Sequence, residues 1–416
     1  MRFLEQPKSP DSRRIVVIGG GQAGSEFAFE LRRLGFAGHI LLVGEEAYLP
    51  YQRPPLSKAV LTGEMPPGAL TLKSAAAYEK AGIGIRLGTR VAALDRVAKT
   101  IRLQSCETIA YDQLALTTGG VARRIQVPGA DLANIFTLRT IDDVEALRGI
   151  AAPGKRLVIV GAGYVGLEVA SATRKQGLEV VVLESASRVL ARVAAPEISA
   201  FYERVHRDEG VDIRTSSTVA GFQGVNGILS GVVDGHGHVL PADFALVGIG
   251  LVPNTALAEE SGLPVDDGIM VDEFGRTADP DIVAAGDCVR FHSRFLERWA
   301  RLESVPNAIE QAKTAAAILC GVERPYVAAP WFWSDQYALK LQMVGIAQDY
   351  DEAVLRGSFE QRSFVHFYLK NGVLIAADAV NRPADFMMSR RLVEARAVIA
   401  PNRLGDETQP LRSMLG

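Results

Sequence analysis

Two sets of three glycines carry the chemistry that reads most directly from this chain. Gly19, Gly21 and Gly24 follow the β-branched run Ile15-Val16-Val17-Ile18, and Gly161, Gly163 and Gly166 follow Arg156–Val160 in the same way. In this spacing the first glycine permits a tight turn and the second lets the backbone approach a pyrophosphate. The third lets a helix close on its strand. The phosphates then face unpaired N–H groups at the helix N-terminus, where the helix dipole favours anions. Each set leads to a second apolar run ending in an acid: residues 40–43 with Glu45, and residues 180–183 with Glu184. A carboxylate there accepts hydrogen bonds from ribose hydroxyls. A single such motif is also what a glycine-rich turn in another α/β protein looks like. Two complete strand–turn–helix–strand–acid units, offset by 142 residues, predict two bound dinucleotides. Glu184 favours NAD over NADP because a carboxylate repels a 2′-phosphate, although Arg188, four residues on, could accommodate one.

The elements that must position these residues can be read in order. Residues 26–34 read as the helix of the first unit, and Glu168 of the second falls at the place of Glu26, in an expected first helical turn. Residues 46–80 leave the sheet. Pro50, Pro54 and Pro55 forbid a regular helix or central strand until Leu56, which makes a rigid loop carrying Arg53 and Lys58. Residues 86–93 and Thr100–Leu103 read as strands joined by a turn, 114–117 as a buried strand, and Ile141–Arg148 and 196–209 as helices. Short strands with glycine-rich hairpins follow, ending in the turn 248–254 around Gly250. Ile282–Ala284 is a buried strand leading to Gly286-Asp287, again an acid at a strand end that could hold a polyol hydroxyl or cap a helix. Pro306 suits the start of a long Ala-rich helix reaching about Cys320, because its missing N–H has no partner there in any case. The N–H groups around Val305 then make another positive helix end. After a boundary near 321–330, an aromatic-dense segment (330–336), antiparallel strands and a helix at 384–397 predict a separate α+β domain.

At 416 residues the length suggests two or three domains. An apolar fraction of 48% and a charged fraction of 22% allow an ordinary core. A net charge of −3 gives no reason to invoke nucleic acid or a membrane surface. No apolar run is long enough to span a bilayer, and the residues before the first strand contain no apolar signal core. Cys106, Cys288 and Cys320 form no CxxC pair and suggest reduced thiols in a cytoplasmic protein. The six histidines show no metal-ligand spacing, and His236 and His238 read as solvated turn residues, so no metal site is expected.

A fingerprint near the N-terminus together with the late Gly286-Asp287 suits FAD, and the second unit suits NADH. The cofactor carries the redox chemistry while the protein orients it. With no dithiol in the chain and no cysteine near the first domain's loop, the electrons are expected to leave to an external one-electron acceptor.

Longer motifs narrow this further: RPPLSK (53–58), TTGG (117–120), GYVGLEVA (163–170), VLARV (189–193), AAGDC (284–288), ESVPNAIEQA (303–312), PWFWSDQY (330–337) and VNRP (380–383). With them the chain resembles the FAD-dependent, NADH-specific ferredoxin reductases that feed bacterial cytochrome P450 or Rieske oxygenase systems. The last three motifs are specific; the glycine motifs are shared with the wider superfamily. The resemblance implies an α/β fold of two Rossmann-type dinucleotide-binding domains, glutathione-reductase-like, with a C-terminal α+β domain. The FAD domain is discontinuous (1–117 and 248–325), the NAD domain spans 118–247 and the last domain 326–416. It implies FAD contacts from Ala23, Glu45, Lys58, Val91, Arg139, Asp287 and Val305, which join Gly19, Gly21, Gly24 and Arg53 from the residues themselves. NAD contacts are expected from Gly161, Gly163, Gly166, Glu168, Glu184 and Gly250. Lys58 and Glu168 are expected as a pair near the flavin N5 and the nicotinamide, and Trp333 as a wall between flavin and acceptor. The acceptor is expected to be an acidic [2Fe–2S] ferredoxin docking on Lys73, Lys313, Arg390 and Arg412, with a P450 behind it or, alternatively, a Rieske-type dioxygenase. Two other readings stay open: a regulatory flavoprotein similar to the apoptosis-inducing factors, and an NADH-dependent thiol or peroxide reductase.

Overall fold

In the computed structural model, which describes residues 11–415, Arg14–Ile18 lies at the centre of a five-stranded parallel sheet. The order is Ile282–Ala284, Gln113–Leu116, Arg14–Ile18, His39–Val43 and Ile83–Arg86. The alternating direction of strand side chains explains the unbroken apolar run. Ile15 and Val17 join Phe27, Leu31, Ala312 and Ala315 from the helices Gln22–Arg33 and Val305–Leu319. Val16 and Ile18 join Val91, Leu103 and Ile109 of a three-stranded antiparallel sheet. With both faces covered, every residue of the strand core must be apolar. These segments belong to one compact unit made of the described residues through Gln52, Thr71–Gly120 and Pro253–Ala328.

The second unit comprises Arg53–Leu70, Val121–Val252 and the described residues from Ala329 on. It repeats the design: Asp212–Arg214, Glu179–Leu183, Arg156–Val160, Phe244–Val247 and Ile135–Phe136 form a parallel sheet in that order. Val158 and Val160 pack toward Phe222, Leu229 and Val232 of an antiparallel three-stranded sheet. The same unit holds a five-stranded antiparallel sheet in the order Trp331–Gln336, Leu339–Gly345, Val373–Val380, Ser363–Lys370 and Glu352–Ser358. The helix Pro383–Glu394 follows its last strand in sequence. The protein is thus α/β, with two parallel dinucleotide-type sheets and a C-terminal α+β region.

Several sequence expectations are corrected. The expected strand at 86–93 is two strands: Ile83–Arg86 joins the parallel sheet and Val91–Asp95 the antiparallel one. Gly88, at φ +59°, turns the chain between them. The first glycine-linked helix begins at Gln22, directly after the turn, because Gly24 is itself helical. Pro54 and Pro55 start a short 3₁₀ helix, Pro54–Ser57, since missing N–H groups cost nothing at a helix start. The last long helix stops at Glu394. Glu168 is the fifth residue of Tyr164–Lys175, beyond the first turn, so an N-terminal preference for acids does not explain it. The N-terminal segment, read as lacking a signal sequence, lies outside the described residues through residue 10. Among the described residues no helix is long and apolar enough to cross a membrane.

Candidate functional site

The two glycine turns are built alike. A Cβ on Gly24 would lie 2.0 Å from Gly19 O, and one on Gly166 2.1 Å from Gly161 O, so the protein's own packing demands glycine at the third position. Gly19 and Gly161 sit at φ +118° and +103°. A Cβ on them would strike the carbonyls of Thr117 and Gly248 on the neighbouring strand end. Gly21 and Gly163 differ, because an added Cβ would meet nothing within 4 Å. Their φ values of −97° and −78° suit any residue. No described residue calls for glycine at these two positions, and the space in front of them fits a ligand group. Both are N-caps without a side-chain hydrogen bond, and neither helix has an acid in its first turn. An open cradle at an uncapped, positive helix end suits a pyrophosphate.

In the first unit two helix starts converge. Gly286 (φ +92°) would place a Cβ 3.2 Å from that of Ala23 and 3.9 Å from that of Ala308, and its N–H is held by Gln311 Oε1 at 2.9 Å. Asp287, half-buried, therefore leaves the strand end beside the starts of both helices. Ser304 caps the second helix by accepting from Asn307 N, Pro306 has no N–H, and Ala308 N bonds Ser304 O. Val305 is the first helical residue, whose N–H has no intrahelical acceptor, a donor suited to negative charge. Glu45 is exposed and paired with Arg90 at 2.7 Å. Val91 is buried in the core. Arg53 and Arg139 belong to the second unit, where Arg53 Nη1 donates to Arg139 O at 2.8 Å.

The second unit brings Lys58 and Glu168 together: Lys58 Nζ lies 2.5 Å from Glu168 Oε2. The geometry arises from matched periodicities. Tyr164, Glu168 and Ser171 share one helix face, while Phe332, Ser334 and Gln336 share one face of Trp331–Gln336. Phe332 stacks on Tyr164 at 4.7 Å, Ser334 Oγ donates to Glu168 Oε1 at 2.6 Å, and Ser171 Oγ accepts from Tyr337 N at 2.7 Å. Ser57 Oγ adds a bond to Glu168 Oε2 at 2.5 Å. Glu168 is 5% exposed. A buried carboxylate survives only when its oxygens are filled, as they are here. Trp333 points to the opposite strand face, with its ring 5.6 Å from that of Trp331. Sequence reasoning missed Ser57, Ser334, Gln336 and His206. The one available signal was the polar alternation Ser334-x-Gln336 inside an aromatic run.

Glu184 grips its own turn: Oε2 accepts from Ala162 N at 2.7 Å and Oε1 from Ala186 N at 2.8 Å. Arg188 is committed to Ala194 O, Ala191 O and Ser199 Oγ, which removes it as a ready partner for a 2′-phosphate. Gly250 (φ +112°) lies near Arg192, 3.4 Å from its Nη2 to a built Cβ. Of the docking candidates, Lys73 (5.6 Å from the Phe29 ring) and Lys313 (paired with Glu310 at 2.9 Å) lie in the first unit. Arg390, paired with Glu394 at 2.9 Å, and the exposed Arg412 lie in the second. Cys288 is fully buried, and burial pushes its thiol up, away from nucleophilic reactivity. His236 and His238 sit in the turn held by Asp234, whose Oδ1 accepts both of their N–H groups.

Comparison with known proteins identifies the family. Residues 13–312 match the pyridine nucleotide-disulphide oxidoreductase family and residues 331–415 the reductase C-terminal family. The chain is 45% identical to putidaredoxin reductase CamA of Pseudomonas putida over 406 residues, 96% of each chain. It is 40% identical to the ferredoxin reductase component of chlorobenzene dioxygenase of Cupriavidus sp. (strain PS12), over 96% of this chain and 97% of that one. The solved covalent putidaredoxin reductase–putidaredoxin complex superposes with a TM-score of 0.94 at 44% identity, covering 97% of this chain and 99% of that one. The ferredoxin reductase for the CYP199A2 system of Rhodopseudomonas palustris gives 0.95 at 38%, covering 97% and 100%. The two cradles fit the FAD and NAD(H) that this family uses, and the chain belongs to the pyridine nucleotide-disulphide oxidoreductases, within their branch of ferredoxin reductases.

Proposed function

We propose that this protein takes hydride from NADH and passes single electrons to a [2Fe–2S] ferredoxin that supplies a cytochrome P450 monooxygenase. The observation that carries the reading is the duplicated open cradle at Gly21 and Gly163, each at an uncapped helix start. Bound FAD supplies the chemistry that turns a two-electron donor into one-electron steps. The chain's own residues bind, orient and compensate charge. In this reading Gly19, Gly21, Ala23 and Gly24 cradle the FAD pyrophosphate, while Glu45 and Asp287 take its hydroxyls. Arg53, Lys58, Val91 and Arg139 line the rest of the flavin site, and the Val305 N–H faces developing negative charge. Gly161, Gly163, Gly166, Glu184 and Gly250 hold NADH. Lys58 and Glu168 stand where hydride passes, and Trp333 separates flavin from acceptor.

The corresponding domain division is 1–117 with 248–325 for FAD, 118–247 for NADH and 326–416 for the C-terminal domain. Lys73, Lys313, Arg390 and Arg412 are the proposed contacts for an acidic ferredoxin face, and the cytoplasm is the proposed compartment. A P450 partner is favoured by the similarity to putidaredoxin reductase and to the CYP199A2-system reductase. The chlorobenzene dioxygenase relative supports the second reading, a dioxygenase reductase component. Steady-state turnover with NADH and NADPH against a panel of [2Fe–2S] ferredoxins tests the proposal. NADH-specific cytochrome c reduction that depends on ferredoxin is expected. Slow reduction by NADH with no ferredoxin stimulation would point to a regulatory flavoprotein, and turnover on peroxide or disulfide alone to a thiol or peroxide reductase.

A further inference from the structure

Behind Glu168 runs a line of buried polar side chains that none of the roles above uses. Ser334 Oγ lies 2.6 Å from Glu168 Oε1 and 3.1 Å from Gln336 Nε2. Gln336 Oε1 lies 2.8 Å from His206 Nε2, and His206 Nδ1 lies 3.3 Å from the Tyr337 hydroxyl. Ser334, Gln336 and His206 are 0%, 1% and 0% exposed. All belong to the second unit.

The donors and acceptors can be assigned by elimination. With Lys58 on Oε2, the Glu168 carboxylate only accepts, so the single Ser334 proton goes to Oε1. The Ser334 oxygen must then accept, and Gln336 Nε2 donates to it. That turns Gln336 Oε1 toward His206, whose proton must sit on Nε2. Nδ1 is left as a lone pair facing the Tyr337 O–H. Burial drives His206 down to about 4, so the ring is neutral at pH 7 and can fill both roles at once. Reversing the chain would leave the Ser334 lone pairs facing those of the Glu168 carboxylate, with no proton between them.

We propose that Ser334, backed by Gln336 and His206, positions Glu168 for Lys58 through a one-way chain of hydrogen bonds ending on the carboxylate. This rests on the reading of Lys58–Glu168 as the pair where hydride passes. Ser334 is a positioning residue: it fixes which oxygen serves Lys58 and stops the carboxylate from rotating. Polarisation along a buried chain of this kind strengthens its last bond. Edge strand Trp331–Gln336 thereby contributes to hydride transfer through Glu168 without supplying a reacting group.

Two measurements on the FAD-loaded protein test this. The ¹⁵N spectrum of histidine-labelled wild-type protein at pH 7 should show His206 neutral with its proton on Nε2. An Nδ1–H tautomer or an imidazolium would overturn the proposal, whatever the activity. Stopped-flow reduction by NADH should be about tenfold slower in Ser334→Ala, as expected for losing a hydrogen bond to a charged group. NADH affinity should change little, and Ser334→Thr, which keeps the hydroxyl, should recover most of the rate. If Lys58→Met and Glu168→Gln slow reduction while Ser334→Ala does not, the positioning role falls and the pair keeps its place. If neither Lys58→Met nor Glu168→Gln slows it, the reading of the pair fails and the proposal with it. Should Ser334→Ala not fold, the wild-type tautomer still decides.

Discussion

Lys58 Nζ and Glu168 Oε2 lie 2.5 Å apart, one at the end of a proline-started 3₁₀ helix and the other in the second turn of a glycine-capped helix. Removing one partner of a buried ion pair strands the other charge, at a cost of about 3–5 kcal/mol. Lys58 keeps 20% of its side-chain exposure, which puts the expected loss for Lys58→Met at the lower end of that range. Lys58→Met combined with Glu168→Leu should be destabilised by less than the sum of the two single losses, because each single change strands the other charge or its buried partners. Urea unfolding of the wild type, the two single variants and the double variant measures the coupling, and strictly additive losses would show that the pair carries none.

Gly163→Ala and Gly166→Ala should fail differently. The Gly166 substitution drives a Cβ to 2.1 Å from Gly161 O and should disrupt the local fold. The Gly163 substitution meets open space, so the melting temperature should hold. NADH affinity should nevertheless fall by about tenfold or more, because the methyl occupies the place of a phosphate. Calorimetric titration beside a thermal melt separates the two outcomes.

Stability should depend on pH through two buried groups of opposite sign. His206 is lowered from 6.5 to about 4 by burial, so its contribution is present above pH 6.5 and lost as pH falls toward 4. Asp378, which accepts from Tyr368 OH at 2.7 Å, is raised from 3.8 to about 7 by burial. Its contribution is present below pH 3.8 and lost as pH rises through 7. Each amounts to about 3–4 kcal/mol at most. Melting temperatures of Asp378→Asn should be flatter than wild type between pH 5 and 8 and higher at pH 8. A wild-type-like profile in that variant would rule Asp378 out.

Glu184→Ala should lose NADH affinity twice over, through the ribose contact and through the freed Ala162 N–H. It should gain little for NADPH, since Arg188 stays bound to Ala194 O and Ser199 Oγ. The ratio of kcat/KM values for the two nucleotides reports this, and a switch to NADPH preference would show that Arg188 can be released.

Arg412→Glu should raise the KM for ferredoxin and flatten its salt dependence, leaving reduction by NADH unchanged. An unaltered ferredoxin KM at low ionic strength would remove Arg412 from the docking surface.

The doubled glycine turns were legible because every residue they need lies within a few tens of residues and obeys local rules. Glu45 and Asp287 were legible as acids at strand ends for the same reason. Glu168 was given the wrong turn of its helix because the helix start was placed by pattern, without allowing for glycines that are themselves helical. Ser334, Gln336 and His206 were not legible, since their roles arise from a strand and two helices far apart in sequence. Pairing across that distance leaves no local periodicity. His206 in particular, on a helix beside Phe201, Tyr202 and Val205, looks like any buried ring until its neighbours are known.

The contact between Tyr164–Lys175 and Trp331–Gln336 is a vernier between two rulers. Four helical residues advance about 6 Å and two strand residues about 6.6 Å, so successive contacts stay in step over this short overlap. A strand tolerates no slip of one residue without exchanging its faces. Deleting one residue just before Trp331, so that the strand's pairing slips by one residue, would swing the Trp331 and Trp333 rings onto the helix and carry Ser334 and Gln336 to the far side. The aromatic face and the carboxylate's support are therefore inherited together, and evolution can retune either by substitution but neither by insertion.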